Sequence, residues 1–245
     1  MRELTGKEKI ARKKVCLPLD GLSTIEEVRA MVEELSPVVG LFKIGKELCT
    51  RFGPEVVKLV KSCGCDVFRD LKYHDIPNTV KGAARAATEL GVFVFNVHAS
   101  GGLEMMRAAR EGVGSSDKRP LITAVTVLTS IDKGIMNNEL NISGKVEEQV
   151  LRLAKLAEKA EMDGIVCSAA DLFLVKDRMP EDFIYVTPGI KGTSTPAGAD
   201  QKRVFSPGNA VRAGSSILVI GRAITNAPDR VKAGLEVLED MAEAL

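Results

Sequence analysis

Apolar runs of four to seven residues alternate along this chain with stretches whose apolar positions fall three and four apart. The runs lie at 15–19, 38–42, 66–71, 92–97, 121–127, 164–167, 184–187 and 217–220. Short runs of this kind predict strands buried on both faces. The three-and-four spacing predicts amphipathic helices at 23–35, 54–61, 78–90, 103–111, 146–160, 171–179, 207–213 and 228–244. Ser23 with Glu26 reads as a capping box, and Ser206 before Pro207 as an N-cap followed by proline at the first helical position. Eight strand–helix repeats predict a single (β/α)8 barrel (TIM barrel) over residues 1–245, with residues 1–14 as a charged extension. An open doubly wound sheet is the alternative for the same rhythm.

Size and charge narrow the partners. The 245 residues suit one barrel with one core. The 34 basic residues stand against 33 acidic ones, and there is no Trp. That balance argues against a nucleic-acid surface, which pairs a basic field with stacking aromatics. No apolar run approaches the roughly 20 residues of a membrane span. The opening MRELTGKEKIARKK has two Glu and no apolar core, so it reads neither as a secretory signal nor as an acid-poor transit peptide. The expectation is a cytoplasmic protein with no membrane partner. Five cysteines at apolar positions, an odd number, predict reduced core residues. The pair Cys63 and Cys65 lacks histidines at ligand spacing, so no metal is expected there.

The chemistry gathers where strands end. The segment from Asp70 to Thr79 places Asp70, Lys72 and Asp75 within six residues at the end of the third apolar run. Charges crowded in this way are costly to desolvate unless they pair or do chemistry. Strand alternation puts Asp70 and Lys72 on one face, and Asp75 falls in the turn before Pro77 opens a helix. Other polar residues stand at the remaining strand ends: Asp20, Lys43, Asn96, His98, Thr129, Ser130, Thr187 and the Gly221-Arg222 pair. In a barrel these surround one mouth, the face where such folds build their sites. Gly221-Arg222 after the last strand, with the long polar stretch 189–206 after the seventh, fits an anion-binding site. His74 and His98 read as rim or supporting residues, since a lysine already supplies an acid.

The strings Leu17-Pro18-Leu19-Asp20, Leu41-Phe42-Lys43-Ile44-Gly45, Asp70-Leu71-Lys72-Tyr73-His74-Asp75-Ile76-Pro77-Asn78-Thr79, Asn96-Val97-His98-Ala99, Leu128-Thr129-Ser130, Thr187-Pro188-Gly189-Ile190 and Ile220-Gly221-Arg222 together resemble the orotidine 5'-phosphate decarboxylase family. The resemblance spans nearly the whole chain. It implies conversion of orotidine 5'-phosphate to UMP and CO2 in pyrimidine biosynthesis, without metal or organic cofactor. It implies Lys72 as the proton donor to C6 of the pyrimidine, with Asp70, Lys43 and Asp75 completing a charged array. It places Asp20, Lys43 and Thr79 near the ribose, Thr129 and Ser130 near the pyrimidine, and Gln201, Gly221 and Arg222 at the phosphate. It also implies a homodimer in which Asp75 and Thr79 reach the neighbouring subunit's site. One departure stands out: many relatives carry Arg where this chain has Lys191, so the phosphate meets a point charge rather than a planar fork. The related Mg2+-dependent sugar-phosphate barrels, the 3-keto-gulonate 6-phosphate decarboxylase and hexulose-phosphate synthase group, carry an acidic metal ligand at the end of strand two. Lys43 stands there instead. A silent barrel that only binds nucleotide phosphate would keep Gly221-Arg222 and lose the charged array, which is intact.

Overall fold

The computed structural model describes residues 2–116, 118–190 and 205–245. Eight parallel strands close into a barrel in sequence order. They are β1 (Val15–Pro18), β2 (Leu41–Gly45), β3 (Asp66–Tyr73), β4 (Val94–His98), β5 (Leu121–Val125), β6 (Gly164–Val166), β7 (Ile184–Pro188) and β8 (Ile217–Val219). The helices are α1 (Gly6–Lys14), α2 (Ile25–Leu35), α3 (Lys46–Phe52), α4 (Glu55–Ser62), α5 (Pro77–Glu89), α6 (Leu103–Val113), α7 (Val146–Lys159), α8 (Leu172–Val175), α9 (Pro207–Ala213), α10 (Arg222–Thr225) and α11 (Arg230–Ala242). Closure pairs β1 with β8, so no sheet edge is left open.

Alternation within the short strands sorts their side chains into two cores. Cys16, Leu41, Phe68, Val94, Val186 and Ile217 point inward and fill the barrel floor. Their neighbours, among them Leu17, Phe42, Val67, Phe95, Ile122 and Leu218, point outward against the helices. The filled floor leaves the polar residues at the strands' C-terminal ends as the lining of the mouth.

Several local expectations shift. The capping box at α2 is built by Thr24 and Glu27, one residue later than Ser23 and Glu26. Ser23 instead gives its backbone N–H to the Glu27 carboxylate. The second strand starts at Leu41, because Val38 and Val39 donate their N–H groups to Leu35 and finish the helical turn. Residues 46–52, which carried no predicted element, form α3. Within the 1–14 extension, α1 has its own capping box from Thr5 and Glu8 and packs on α11. Arg2 closes on Glu8 through two hydrogen bonds of 2.8 and 2.5 Å. Ser206 caps α9 and Pro207 opens it, as its sequence predicts. Each such cap stabilises by about 1 kcal/mol.

All five cysteines are free, with Cys16, Cys65 and Cys167 buried. Among the described residues, no helix is long and apolar enough to cross a membrane.

Candidate active site

Four charged side chains of alternating sign line one wall of the barrel mouth. Lys43 Nζ stands 3.3 Å from Asp20 Oδ1 and 3.2 Å from Asp70 Oδ2. The other oxygen of Asp70 receives Lys72 Nζ at 2.5 Å. The order is therefore Asp20, Lys43, Asp70, Lys72, with charges that sum to zero. Lys43 and Asp70 are each 8 % exposed, so neither is stable there without its partners. Burial pushes the Asp70 carboxyl up, but the charges of Lys43 and Lys72 and the hydrogen bonds from Lys72 and Asn96 outweigh it. The group ends below the usual carboxylate range. Burial likewise pulls Lys43 down, and Asp70 and Asp20 more than reverse it. Both groups therefore stay ionised at neutral pH.

Local backbone geometry brings Lys72 to this wall. Arg69 pairs with Phe95, yet the next register pair is Tyr73 with Val97, so β3 spends four residues where β4 spends two. The excess is absorbed as a bulge in which Lys72 takes φ +52°. A left-handed non-glycine residue costs on the order of 1 kcal/mol. The Lys72 backbone N–H, displaced from the ladder, donates to Asn96 Oδ1 at 2.8 Å. Asn96 Nδ2 donates in turn to Asp70 Oδ1 at 2.7 Å. These bonds, one of them to a charged acceptor, are of the size needed to hold the strained residue.

The wall faces a cavity of about 730 Å³. Pro18, Phe68, Val125, Cys167, Val219 and Ile190 supply apolar lining, and Thr129, Gly189, Gly221 and Arg222 also line it. Room near the charges depends on glycine. A Cβ at Gly45 would stand 3.2 Å from Asp20 Oδ1 and 3.4 Å from Lys43 Nζ. At Gly221 it would stand 2.9 Å from Pro18 Cγ. The sequence placed Asn96 at the mouth without giving it a role, and left Gly45 unassigned because its role is an absence of atoms.

The remaining candidates divide. Ser130 is exposed and is not part of the described cavity lining. Thr187 is fully buried and shares a short hydrogen bond with Ser215, turned away from the mouth. Asp75 is exposed and accepts the Ile76 N–H at 2.6 Å; within one chain it makes no ion pair with the array. Thr79 is exposed on the first turn of α5. The His98 ring meets the His74 ring at a tilt, with centroids 5.4 Å apart. Burial first, then the neighbouring charges, push its pKa down to about 4, so the ring is neutral at pH 7. Lys191 and Gln201 lie outside the described residues.

The profile of the family described as "Orotidine 5'-phosphate decarboxylase / HUMPS family" matches residues 13–237. This chain belongs to that family. An "Orotidine 5'-phosphate decarboxylase" of Saccharophagus degradans is 47 % identical over 221 residues, covering 90 % of this chain and 92 % of its own length. One from Syntrophus aciditrophicus is 43 % identical over 249 aligned positions, covering 100 % of this chain and 98 % of its own. The crystal structure of orotidine 5'-phosphate decarboxylase from Lactobacillus acidophilus superposes with a TM-score of 0.81 at 36 % identity, over 93 % of this chain and 98 % of that one. Members of the orotidine 5'-phosphate decarboxylase / HUMPS family thus share both the sequence and the barrel of this protein.

Proposed function

We propose that this chain converts orotidine 5'-phosphate to UMP and CO2, and that Lys72 protonates the pyrimidine. The observation that carries this reading is the unbroken Asp20, Lys43, Asp70, Lys72 row at the cavity wall. Breaking the bond from C6 to the carboxylate leaves an electron pair on C6 as CO2 departs. A fixed ammonium beside C6 stabilises that pair and then donates a proton to it, forming the C6–H bond; Lys72 regains its proton from solvent. Asp70, ionised and buried, would lie near the departing carboxylate and oppose its negative charge. Arg222 and the Gly221 turn also line the cavity, suited to the phosphate end of the substrate. Thr129, on the lining, suits the base, and Asp20 and Lys43 suit the ribose hydroxyls. We assign Ser130, Lys191 and Gln201 to the substrate from the family pattern alone.

The metal-dependent branch fits this site less well. Lys43 Nζ sits within 3.3 Å of both Asp20 and Asp70, so a divalent cation held by those carboxylates would meet an ammonium at contact distance. Loss of orotidine 5'-phosphate absorbance on adding purified protein in excess EDTA is the test. Turnover in EDTA is expected; no turnover of orotidine 5'-phosphate by folded protein, with or without Mg2+, would transfer the chain to the sugar-phosphate reading.

The active form we propose is a homodimer in which Asp75 and Thr79 enter the partner's site. Exposure of Asp75 beside Ile76, itself 67 % exposed, supports this. Mixing Lys72→Ala with Asp75→Asn protein checks it. A shared site regains about a quarter of wild-type activity, because half the dimers are mixed and each has one intact site. No recovery after verified subunit exchange would confine Asp75 to its own chain.

A further inference from the structure

We infer that Asn96 is a positioning residue for the proton donor, an inference that rests on the decarboxylase reading above. The residue is 1 % exposed, and its carboxamide contacts both ends of the same device. The carbonyl holds the backbone N–H of Lys72 at 2.8 Å, within the stretch where the bulge interrupts the β3–β4 ladder. The amide nitrogen holds Asp70 Oδ1 at 2.7 Å, the same oxygen that binds Lys72 Nζ at 2.5 Å. One side chain therefore fixes where the lysine leaves the backbone and where its ammonium lands. An amide is suited to both tasks: it must accept from an N–H on one side and donate to a carboxylate on the other. Leucine has the shape and neither bond. Aspartate keeps the acceptor and turns the donor into a second negative charge against Asp70.

The consequence is a lysine held in a left-handed conformation that ordinary strand pairing would not select. Without Asn96, β3 is free to relax toward regular φ, and the ammonium moves by a distance comparable to a bond length. Misplacement of a reacting group by about 1 Å costs on the order of 100-fold in rate. Asn96 is not part of the cavity lining that includes Gly221 and Arg222, and its side-chain hydrogen bonds go to Lys72 and Asp70. Binding should survive while chemistry fails.

The experiment compares wild type, Asn96→Leu and Asn96→Asp by steady-state kinetics on orotidine 5'-phosphate from pH 5 to 8. Deuterium exchange of the β3 backbone is measured alongside. Asn96→Leu should lower kcat by about 100-fold with KM within threefold. Asn96→Asp should be weak at pH 8 and recover as pH falls, because a protonated carboxyl can again donate to Asp70. The groups facing that position are Asp70 and Lys72 from β3, with Lys43 of β2 beyond Asp70. From β5 the paired residue is Thr123, which does not titrate in this range, and His98 lies two residues along β4. A residue that merely fills space would not give that acid recovery. If Asn96→Leu fails to fold, the Asn96→Asp profile decides alone: a profile parallel to wild type overturns the inference. Exchange separates this from the decarboxylase reading. Should wild type not turn over the substrate, protection of the Lys72 amide in wild type and its loss in Asn96→Leu, or in Asn96→Ala if the leucine variant does not fold, would still support the positioning bond. Equal exchange in wild type and variant would remove it.

Discussion

Replacing Asp70 with Asn is the substitution whose effect follows most directly from the geometry. The change is isosteric, yet it removes the one negative charge that separates two ammonium groups, Lys43 Nζ at 3.2 Å and Lys72 Nζ at 2.5 Å. At an effective dielectric of about 20, each contact carries roughly 5 to 7 kcal/mol of Coulomb energy, an upper bound before desolvation is subtracted. Burial of the carboxylate has already cost several kcal/mol, so the net loss falls to about 3 to 5 kcal/mol, the usual penalty for stranding one member of a buried pair. Lys43 keeps Asp20, but that carboxylate is largely solvent-exposed and compensates weakly. For a chain of this size, a loss of about 3 to 5 kcal/mol lowers Tm by roughly 6 to 20 °C. Urea denaturation at pH 7, followed by circular dichroism, gives the difference in free energy. Its pH dependence provides an internal check. The folded pKa of Asp70 is depressed, so its contribution is full above the unfolded value of about 3.9 and is lost only as pH falls below it. The gap between wild type and Asp70→Asn should therefore be equal at pH 7 and pH 5 and close only in stronger acid. A variant within 1 kcal/mol of wild type at pH 7, or more stable than it, would refute the claim that Asp70 neutralises the two lysines.

Arg222→Ala should weaken UMP binding by about 10- to 150-fold, the value of a hydrogen bond to a charged phosphate, while uridine binding changes little; calorimetry with both ligands checks this, and equal losses for the two would move Arg222 away from the phosphate. His98→Asn should keep substantial activity and should flatten the acid limb of stability. The folded ring titrates near 4 and the unfolded one near 6.5, so the unfolded state binds the extra proton between those values, and stability falls as pH drops through that window. For a half-buried ring, solvent screening reduces the loss to about 1 to 2 kcal/mol. Urea curves at pH 7 and pH 4 should show that excess loss in wild type and not in the variant, and parallel losses would contradict it.

The strand–helix rhythm was legible because strand burial on both faces writes itself as continuous apolar runs. Its edges were less so. Val38 and Val39 extend the second run with residues that belong to the turn after α2, since burial against helices and burial in a sheet select the same side chains. The seven-residue α3 is too short to carry a period of its own. At the site, alternation placed Asp70 and Lys72 on one face even though β3 bulges between them. The excess is two residues, so the in-and-out parity survives the irregularity that the sequence conceals. Asn96 was visible only as one more polar strand end. Its two bonds depend on a left-handed lysine, and nothing in the local residue types announces that conformation. Asp75 and Thr79 show why the family pattern outruns a single chain: both are exposed, and their proposed roles need a second copy.

Decarboxylation of orotidine 5'-phosphate by Lys72→Ala, measured in EDTA beside wild type and with folding verified by thermal melting, tests the central claim most directly. The substitution removes both the fixed charge beside C6 and the proton that follows it, and each is worth at least about 100-fold. The account expects kcat/KM to fall by more than about a thousandfold, with UMP still bound. Activity within tenfold of wild type would contradict it and would require another acid at the mouth of this barrel.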